Sequence, residues 1–245
     1  VCRAIDWDVW CGQARDQNLV DWVDKWICIA PHIEKKLRAE AQYRDGQLQL
    51  IRPGVNLEKF MFEEKKENFN IAMVTGDIWQ MKNVTEGLMI FAMLVKQNES
   101  KPWKLHWRGQ WADHAAYMEQ AVKYFLESRG ISNRVFLYQL DENMDTWYNK
   151  MCYILTPSIK EAFSYATAEG MSKGLKPIIN NWYGSKDIWP EKYIYNTVDE
   201  AVKMFDGEIN SYEYRKFIEY YYSNQRMLNE IDNFINYEKN YIKQG

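Results

Sequence analysis

Two glutamates eight residues apart, Glu161 and Glu169, have the side-chain type and spacing best suited to hold a ligand. Glu161 follows the loop signal Thr156-Pro157-Ser158, and Glu169 lies in a segment whose pattern predicts a helix. One carboxylate then precedes the helix N-terminus and the other lies about a turn and a half inside it, so they can bind two ends of one molecule. The backbone N–H groups between them would face an anion. This arrangement suits a sugar nucleotide, which has hydroxyl groups at both ends and a diphosphate in the middle.

Composition and charge limit the classes of protein to consider. The chain has 245 residues, of which 47% are hydrophobic and 27% charged, so it can bury a core and is not expected to be disordered. The formal net charge is −3. A surface that binds nucleic acid usually needs a marked basic excess, and nucleic acid is therefore not expected as the main partner.

The cysteines and histidines do not form a recognisable metal or disulfide pattern. The four cysteines, Cys2, Cys11, Cys28 and Cys152, contain no CxxC pair, and the chain has three histidines. No metal or other cofactor is therefore expected, and a reducing cytoplasm is the expected location. No apolar run approaches the roughly 20 residues of a membrane span, whereas association with a membrane surface stays open.

Strand and helix patterns alternate from Asn68 onward, which predicts an α/β fold with a Rossmann-like parallel sheet and helices on both faces. The predicted strands are Ile71–Thr75, Lys104–Arg108, Val135–Tyr138, Cys152–Leu155 and Pro177–Ile179, with a further strand near Tyr193–Tyr195. The segments Asn83–Glu86 and Thr197–Glu200 have the spacing of helix capping boxes. A helix is expected from Asp113 to Gly130, and another from Ser211 nearly to the end.

The region before Asn68 has a different character. Asp24–Ala30 is typical of a short buried strand, and Pro31–Ala41 of the helix that follows it, because proline is suited to an early helical position. Gln47–Ile51 suggests another strand, and Arg52-Pro53-Gly54 then marks a turn. We therefore expect two regions, residues 1–60 and residues 61–245.

Five segments in the same order resemble the C-terminal half of retaining glycosyltransferases with the GT-B fold, a group that includes glycogen synthase, sucrose synthase and many mannosyltransferases. The resemblance covers roughly residues 20–245. Its segments are Arg52-Pro-Gly-Val-Asn-Leu-Glu-Lys-Phe60, the strand and Gly76 loop with Lys82, Arg134–Tyr138, Pro157-Ser158, and the glutamate pair with Gly174-Leu-Lys-Pro-Ile. The resemblance implies that residues 61–245 form the domain that binds a nucleotide-sugar donor. Residues 1–60 would be the end of the N-terminal acceptor domain and the linker between the domains.

The resemblance implies a donor site at the carboxyl ends of the strands. Glu161 and Lys82 would be the catalytic residues, with Glu161 on the sugar hydroxyls and Lys82 on the phosphates, and Glu169 would bind the ribose. The implied donor-binding set is Gly76, Lys82, Leu137, Tyr138, Glu161, Phe163, Ser164, Tyr165 and Glu169. The acceptor would be a glycan, a lipid or another molecule, and the attack would retain the anomeric configuration without a metal. The C-terminal helix would cross back to the first domain, with Tyr220–Tyr222 packing there.

The sequence departs from the family pattern in two places. Many relatives have an arginine after the first-loop glycine, where this chain has Asp77, which would repel a diphosphate. Arg108 and Lys186 are candidates to supply the charge. The chain also starts at Val1, so we expect it to be a piece of a longer protein, with most of the N-terminal domain missing and activity as a fragment in question.

Two alternatives to a hexosyltransferase-type enzyme stay open on the sequence alone. The first is a catalytically silent module that binds a sugar nucleotide, which Asp77 and the missing first domain favour. The second is a nucleotide-sugar epimerase, whose pattern the glutamate segment matches less well. None of the three histidines is assigned to catalysis; His106 is expected to be a packing residue with its hydrogen bonds satisfied, and His114 to lie near a helix start.

Overall fold

Two parallel β-sheets organise the residues that the computed structural model describes, which are 1–4, 12–111, 116–139 and 143–242. The smaller sheet has the order β1-β2-β3 and consists of β1 (Cys2–Ala4), β2 (Trp26–Cys28) and β3 (Leu48–Leu50). Helix α1 (Gln17–Trp22) precedes β2, and helix α2 (Pro31–Glu40) connects β2 with β3. Pro31 is at the start of α2, as its residue type predicts.

The larger sheet confirms the predicted α/β class. Its strands are all parallel, in the order β6-β5-β4-β7-β8-β9. They are β4 (Asn70–Ile78), β5 (Lys104–Trp111), β6 (Val135–Tyr138), β7 (Tyr153–Thr156), β8 (Lys176–Asn180) and β9 (Ile194–Tyr195). The order reverses between β4 and β7, and crevices at such reversals are where open α/β sheets bind ligands.

Helices cover both faces of this sheet. Helices α3 (Val84–Gln97) and α7 (Val198–Met204) share one hydrophobic core with it, which includes Phe91 and Leu94. Helices α5 (Met144–Asn149), α6 (Tyr165–Ser172) and α8 (Ser211–Tyr222) share the core of the other face, which includes Tyr148 and Met171. Helix α4 (Ala116–Ser128) leads to β6, and residues 112–115, where its start and His114 were predicted, lie outside the described residues.

Strand β4 is longer than the sequence predicts. Gly76 was expected in a loop after a strand ending at Thr75, but β4 continues to Ile78 after an irregularity between Val74 and Gly76. The reason is pairing with a neighbour: Gly76–Ile78 pair with Gly109–Trp111 of β5, beyond the point where the pairing of β4 with β7 ends. We call this projecting pair of segments the β4–β5 extension.

The two predicted capping boxes have different outcomes. The Thr197 side chain accepts a hydrogen bond from the Glu200 amide, so the cap of α7 is confirmed. Asn83, by contrast, has a left-handed backbone (φ 48°) and no side-chain bond to the α3 amides. Its amide group instead donates to Glu86 at 3.0 Å and to the Pro157 carbonyl oxygen at 3.2 Å, so Asn83 has the predicted cap position of α3 but does not form the capping bond.

The C-terminal region returns to the smaller sheet, but not through the tyrosines. The predicted single helix is two, α8 and α9 (Asn224–Ile242), divided at Ser223. Phe234 of α9 packs with Ile27 and Ile51 of the N-terminal region. Tyr220 and Tyr221 are largely exposed, and Tyr222 packs against Phe163 and Trp189 beside the larger sheet. The placement predicted for Tyr220–Tyr222 was therefore wrong.

The linker between the two sheets meets the break between α8 and α9. The Val55 amide donates to the Tyr222 carbonyl oxygen at 2.7 Å, and the Asn224 amide donates to the Val55 carbonyl oxygen at 3.1 Å. Val55 and Ser223 thereby form an isolated parallel bridge. Both segments that connect the two regions are fastened to each other at this point.

Substitution of Gly109 by alanine is expected to destabilise the protein by about 2 kcal/mol. The new Cβ would lie 2.4 Å from Thr75 Oγ1 and 2.8 Å from the Gly76 carbonyl oxygen. Thr75 Oγ1 cannot easily move, because it accepts a hydrogen bond from Trp107 Nε1 at 2.9 Å. Urea unfolding of Gly109→Ala measures the effect. Gly207→Ala is the control, since its Cβ would lie 2.9 Å from the end of the Lys176 side chain and no nearer than 4.0 Å to a backbone atom, and an equal loss in both variants would contradict the prediction.

Candidate active site at the carboxyl edge of the larger sheet

Lys82 and Glu161, the two residues predicted to be catalytic, are in direct contact. Lys82 closes the helical turn Gln80–Lys82 after β4, and Glu161 lies in the loop between β7 and α6. Lys82 Nζ donates to Glu161 Oε1 at 2.6 Å, and both side chains are largely buried. Residues 79 positions apart in sequence thus form an ion pair at the strand ends where the sequence predicted a ligand.

Hydrogen bonds from three neighbouring segments fix the loop that carries Glu161. The Ile159 amide donates to the Met81 carbonyl oxygen at 3.0 Å. The Asn83 and Asn180 side-chain amides each donate to the Pro157 carbonyl oxygen at 3.2 Å. These contacts join the loop to the turn before α3, to the cap residue of α3 and to the end of β8. They therefore fix the position of Glu161 beside Lys82, as a preorganised site requires.

The first turn of α6 presents backbone amides without a side-chain cap. Ser164 precedes the helix with a left-handed backbone (φ 73°, ψ 80°), and its side chain makes no capping bond. Its hydroxyl instead pairs with Thr167 Oγ1 at 2.7 Å, and Thr167 also pairs with Thr156 Oγ1 of β7 at 2.6 Å. Ser164 therefore occupies the cap position but does not act as the side-chain cap that its residue type allows. Uncapped N–H groups at a helix start attract anions.

The left-handed backbone at Ser164 predicts an unusual order of variant stabilities. Ser164→Ala loses the hydroxyl contact and keeps the strained backbone, whereas Ser164→Gly loses the same contact and relieves the strain. We therefore expect the glycine variant to be more stable than the alanine variant by about 0.5–1 kcal/mol. Thermal unfolding of the two variants measures the difference, and a more stable alanine variant would contradict it.

Glu169 lies in the same helix, where burial changes its ionisation. Desolvation raises the pKa of Glu169 from 4.5 to about 7, although Lys59, a hydrogen bond with Tyr148 and the charge of Arg108 oppose the shift. Tyr148 donates to the Ala166 carbonyl oxygen at 3.1 Å, and burial raises its pKa well above the usual range. A carboxyl group held partly desolvated on a helix is suited to bind hydroxyl groups, and such shifts are common at functional sites.

Phe163 and Tyr165 flank the helix start in different ways. Phe163 is buried and stacks on Trp189 at a centroid distance of 5.4 Å, so its side chain is part of the core and only its backbone is available to a ligand. Tyr165 is 41% exposed, and its hydroxyl accepts a hydrogen bond from Arg3 Nη2 at 2.8 Å. That bond connects β1 of the smaller sheet with the first residue of α6.

Leu137 and Tyr138, the residues predicted to lie near a nucleotide base, are on strand β6 and not in the loop that carries Glu161. Leu137 is 42% exposed on the edge strand β6. The Tyr138 hydroxyl pairs with His106 Nδ1 at 2.8 Å, and its ring packs edge-on against Trp147. His106 also pairs with Asn70 at 3.1 Å, which confirms it as a satisfied packing residue, and desolvation lowers its pKa to about 4.

The residues considered for charge at the diphosphate, Asp77, Arg108 and Lys186, lie in three different parts of the structure. Gly76 and Asp77 are in the β4–β5 extension, where Asp77 accepts a hydrogen bond from Gln110 at 3.0 Å. Arg108 is buried and acts electrostatically on Glu169 and Tyr148. Lys186 is exposed and forms an ion pair with Glu191, so the structure does not bring it to the glutamate pair.

Sequence reasoning missed three residues near the site: Arg3, Lys59 and Tyr148. Lys59 lies within the linker segment that carried the resemblance, which could have marked it. Arg3 and Tyr148 have no local signal, because their contacts depend on how distant segments pack. Within the described ranges, no group of three His, Cys, Asp or Glu side chains could hold a metal ion, and none of the helices is long and apolar enough to cross a membrane.

The fold and this edge define a Rossmann-like domain of the GT-B glycosyltransferase type. Residues 56–216, more than half of the chain, match the family model of the glycosyl transferases group 1. The chain belongs to this family. No individually curated protein matches its sequence significantly.

Solved structures with low sequence identity share the fold. A glycosyltransferase from Rickettsia africae has 14% identity and a TM-score of 0.73, with 96% of this chain and 68% of that chain covered. HepE from Anabaena, solved in complex with UDP, has 10% identity and a TM-score of 0.75, covering 90% and 66%. Sucrose-phosphate synthase from Thermosynechococcus elongatus has 14% identity and a TM-score of 0.71, covering 93% and 61%. The chain spans between 45% and 68% of the first structures it resembles.

Proposed function

We propose that the protein is a retaining glycosyltransferase and that this chain carries mainly its donor-binding half, which takes a nucleotide sugar. The observation that carries the proposal is the Lys82–Glu161 ion pair of 2.6 Å beside the uncapped start of α6. It provides a cation and amides for a diphosphate, and Glu169 lies farther along the same helix for the ribose hydroxyls. Structural neighbours solved with UDP support a uridine nucleotide as the first probe.

In the proposed reaction, the bond between the anomeric carbon and the diphosphate breaks, and negative charge develops on the leaving phosphate. Lys82 and the amides of the first turn of α6 would stabilise this charge, and Glu161 would orient the transferred hexose. An acceptor hydroxyl then bonds to the anomeric carbon on the same face, and the leaving phosphate takes its proton. One bond to the anomeric carbon breaks and one forms, and the acceptor proton ends on the leaving phosphate, so the reaction requires no protein nucleophile.

The proposed partners are a nucleoside diphosphate sugar, a glycan, lipid or other acceptor, and the remainder of an N-terminal domain of the same protein. The smaller sheet supports the last of these, because it faces α6 through the Arg3–Tyr165 contact and receives α9. No metal is part of the proposal. We therefore expect EDTA to leave nucleotide affinity unchanged, and a loss of binding in EDTA that Mg²⁺ restores would contradict this part.

Calorimetric titration of the chain with UDP, GDP and ADP tests the proposal. We expect one nucleotide to bind, and Glu169→Ala to abolish or strongly weaken that binding. Glu127→Ala, which removes an exposed glutamate of α4, is the matched control. If none of the three nucleotides binds, the proposal is wrong.

A non-catalytic module that binds sugar nucleotides is the second candidate. Asp77 favours it, because relatives with a phosphate-binding arginine after this glycine have the opposite charge at that position, and Gln110 holds the carboxylate in the β4–β5 extension. Release of UDP from a UDP-sugar in the presence of acceptor sugars, measured on the full-length protein, distinguishes the candidates. A module would bind the nucleotide sugar and leave it intact.

A further inference from the structure

Arg3 holds an unusual position relative to the proposed donor site. It lies in β1 of the smaller sheet, yet Arg3 Nη2 donates to the hydroxyl of Tyr165, 162 residues away, at 2.8 Å. Tyr165 is the first residue of α6, so the guanidinium reaches across from one sheet to the helix start of the other. Both side chains are exposed in this contact.

The partner of Arg3 is a weak one for a guanidinium. Within the described residues, Arg3 donates to a neutral phenol and forms no ion pair. A hydrogen bond from arginine to a phosphate oxygen is roughly twice as strong as one to a neutral acceptor, and the planar guanidinium can bind a phosphate through two N–H groups. An anion bound at the start of α6 would therefore compete well for this side chain.

The site also needs an additional cation. Lys82 is already paired with Glu161, and Lys59 and Arg108 act on Glu169. Asp77 adds a negative charge on the β4–β5 extension. Three described cations thus face the carboxyl groups of Glu161, Glu169 and Asp77, and a nucleoside diphosphate would add about two further negative charges.

We propose that Arg3 is a phosphate-binding residue of the donor site, which exchanges the Tyr165 hydroxyl for the diphosphate when the donor binds. The inference rests on the proposed function and names the source of the charge that Asp77 does not supply. It also makes the smaller sheet a contributor to donor binding and not only to acceptor binding. Tyr165 has the role of a resting partner that keeps the guanidinium at the helix start.

Titration of Arg3→Gln with UDP and with uridine tests this role. We expect UDP affinity to fall about tenfold and uridine affinity to stay unchanged, since uridine has no phosphate. Arg3→Lys should retain part of the UDP affinity, because it keeps the charge and loses the second N–H contact. Arg15→Gln is the control, as it removes an arginine of the same region that is paired with Glu40.

Tyr165→Phe separates phosphate binding from a purely structural contact. If Arg3 binds phosphate, Tyr165→Phe should lower UDP affinity less than Arg3→Gln does, because it keeps the Tyr165 backbone amide and the guanidinium and removes only the resting partner of Arg3. Equal losses of UDP affinity in Arg3→Gln and Tyr165→Phe would overturn the proposal, as would an unchanged UDP affinity in Arg3→Gln. In both cases UDP binding by the original protein would leave the proposed function intact, and thermal unfolding shows whether each variant is folded.

Discussion

Glu169→Gln is expected to stabilise the protein above pH 7 while it weakens nucleotide binding. Burial raises the pKa of this carboxyl group from 4.5 to about 7, so the folded protein favours the neutral form. Above pH 7 the group is ionised in both states and the full cost of the buried charge is present. That cost decreases as the pH falls from 7 to 4.5 and is absent below 4.5. Glutamine removes the cost, which is on the order of 1–3 kcal/mol.

Urea unfolding of the original protein and Glu169→Gln at pH 8 and pH 4.5 measures this effect. The variant should be the more stable protein at pH 8, and the difference should largely disappear at pH 4.5. Glu127→Gln, at an exposed position of α4, should show no gain at either pH. Equal stability of Glu169→Gln and the original protein at pH 8 would mean that the carboxylate is solvated in the folded state.

The binding effect of the same variant has the opposite sign. A carboxylate accepts two hydroxyl hydrogen bonds from a ribose and is a stronger acceptor than a neutral amide. We expect the affinities for UDP and uridine to fall together, on the order of tenfold or more. A variant that gains stability and loses affinity is the pattern of a residue kept for function at the expense of stability.

Lys82→Met is expected to reduce affinity for UDP on the order of 100-fold and to leave affinity for uridine unchanged. Methionine keeps the apolar stem of lysine but removes the ammonium group from the phosphates. It also leaves Glu161 without its cation, which adds a repulsive charge near the diphosphate. Isothermal titration with both ligands measures the contrast, and Lys186→Met, which removes an exposed lysine paired with Glu191, is the control.

A double variant decides why Lys82 is needed. If its only role is to neutralise Glu161, then Lys82→Met with Glu161→Gln should restore UDP affinity. If Lys82 contacts phosphate, as proposed, the double variant should remain weak. Equal losses for UDP and uridine in Lys82→Met would also contradict a phosphate role.

The sequence predicts most of the larger sheet because its signals are local. Val135–Tyr138 has the predicted bounds, and the other predicted strands differ by a few residues at their ends. The main error concerns Gly76, a residue type that usually marks a loop. Pairing with Gly109–Trp111 extends the strand there, and cross-strand pairing is not visible in the local pattern.

The geometry of the candidate site was likewise predictable where its signals are local and was missed where they depend on contacts between distant segments. The spacing of Glu161 and Glu169 is local, and the prediction that they flank and enter one helix is confirmed by α6. Which cation meets Glu161 depends on a contact between loops 79 residues apart, and it was reached only through the family resemblance. Arg3 and Tyr165 are 162 residues apart, and no local pattern could join them. The misplaced Tyr220–Tyr222 segment shows the converse, because a local aromatic run does not specify which surface it covers.

The Val55–Ser223 bridge has a mechanical consequence for the two sheets. Both covalent crossings between them are tied together there by backbone hydrogen bonds, and Gly54 lies so close that an added Cβ would be 2.7 Å from Asn224 Cα. One hydrophobic core also spans both sheets, because Cys28 and Leu48 of the smaller sheet belong to the same cluster of buried residues as Ala72 and Ile179 of the larger sheet. The bridge therefore reinforces two sheets that already share a core, so the spacing between β1 and the start of α6, where Arg3 meets Tyr165, is expected to be held by packing and by backbone hydrogen bonds together.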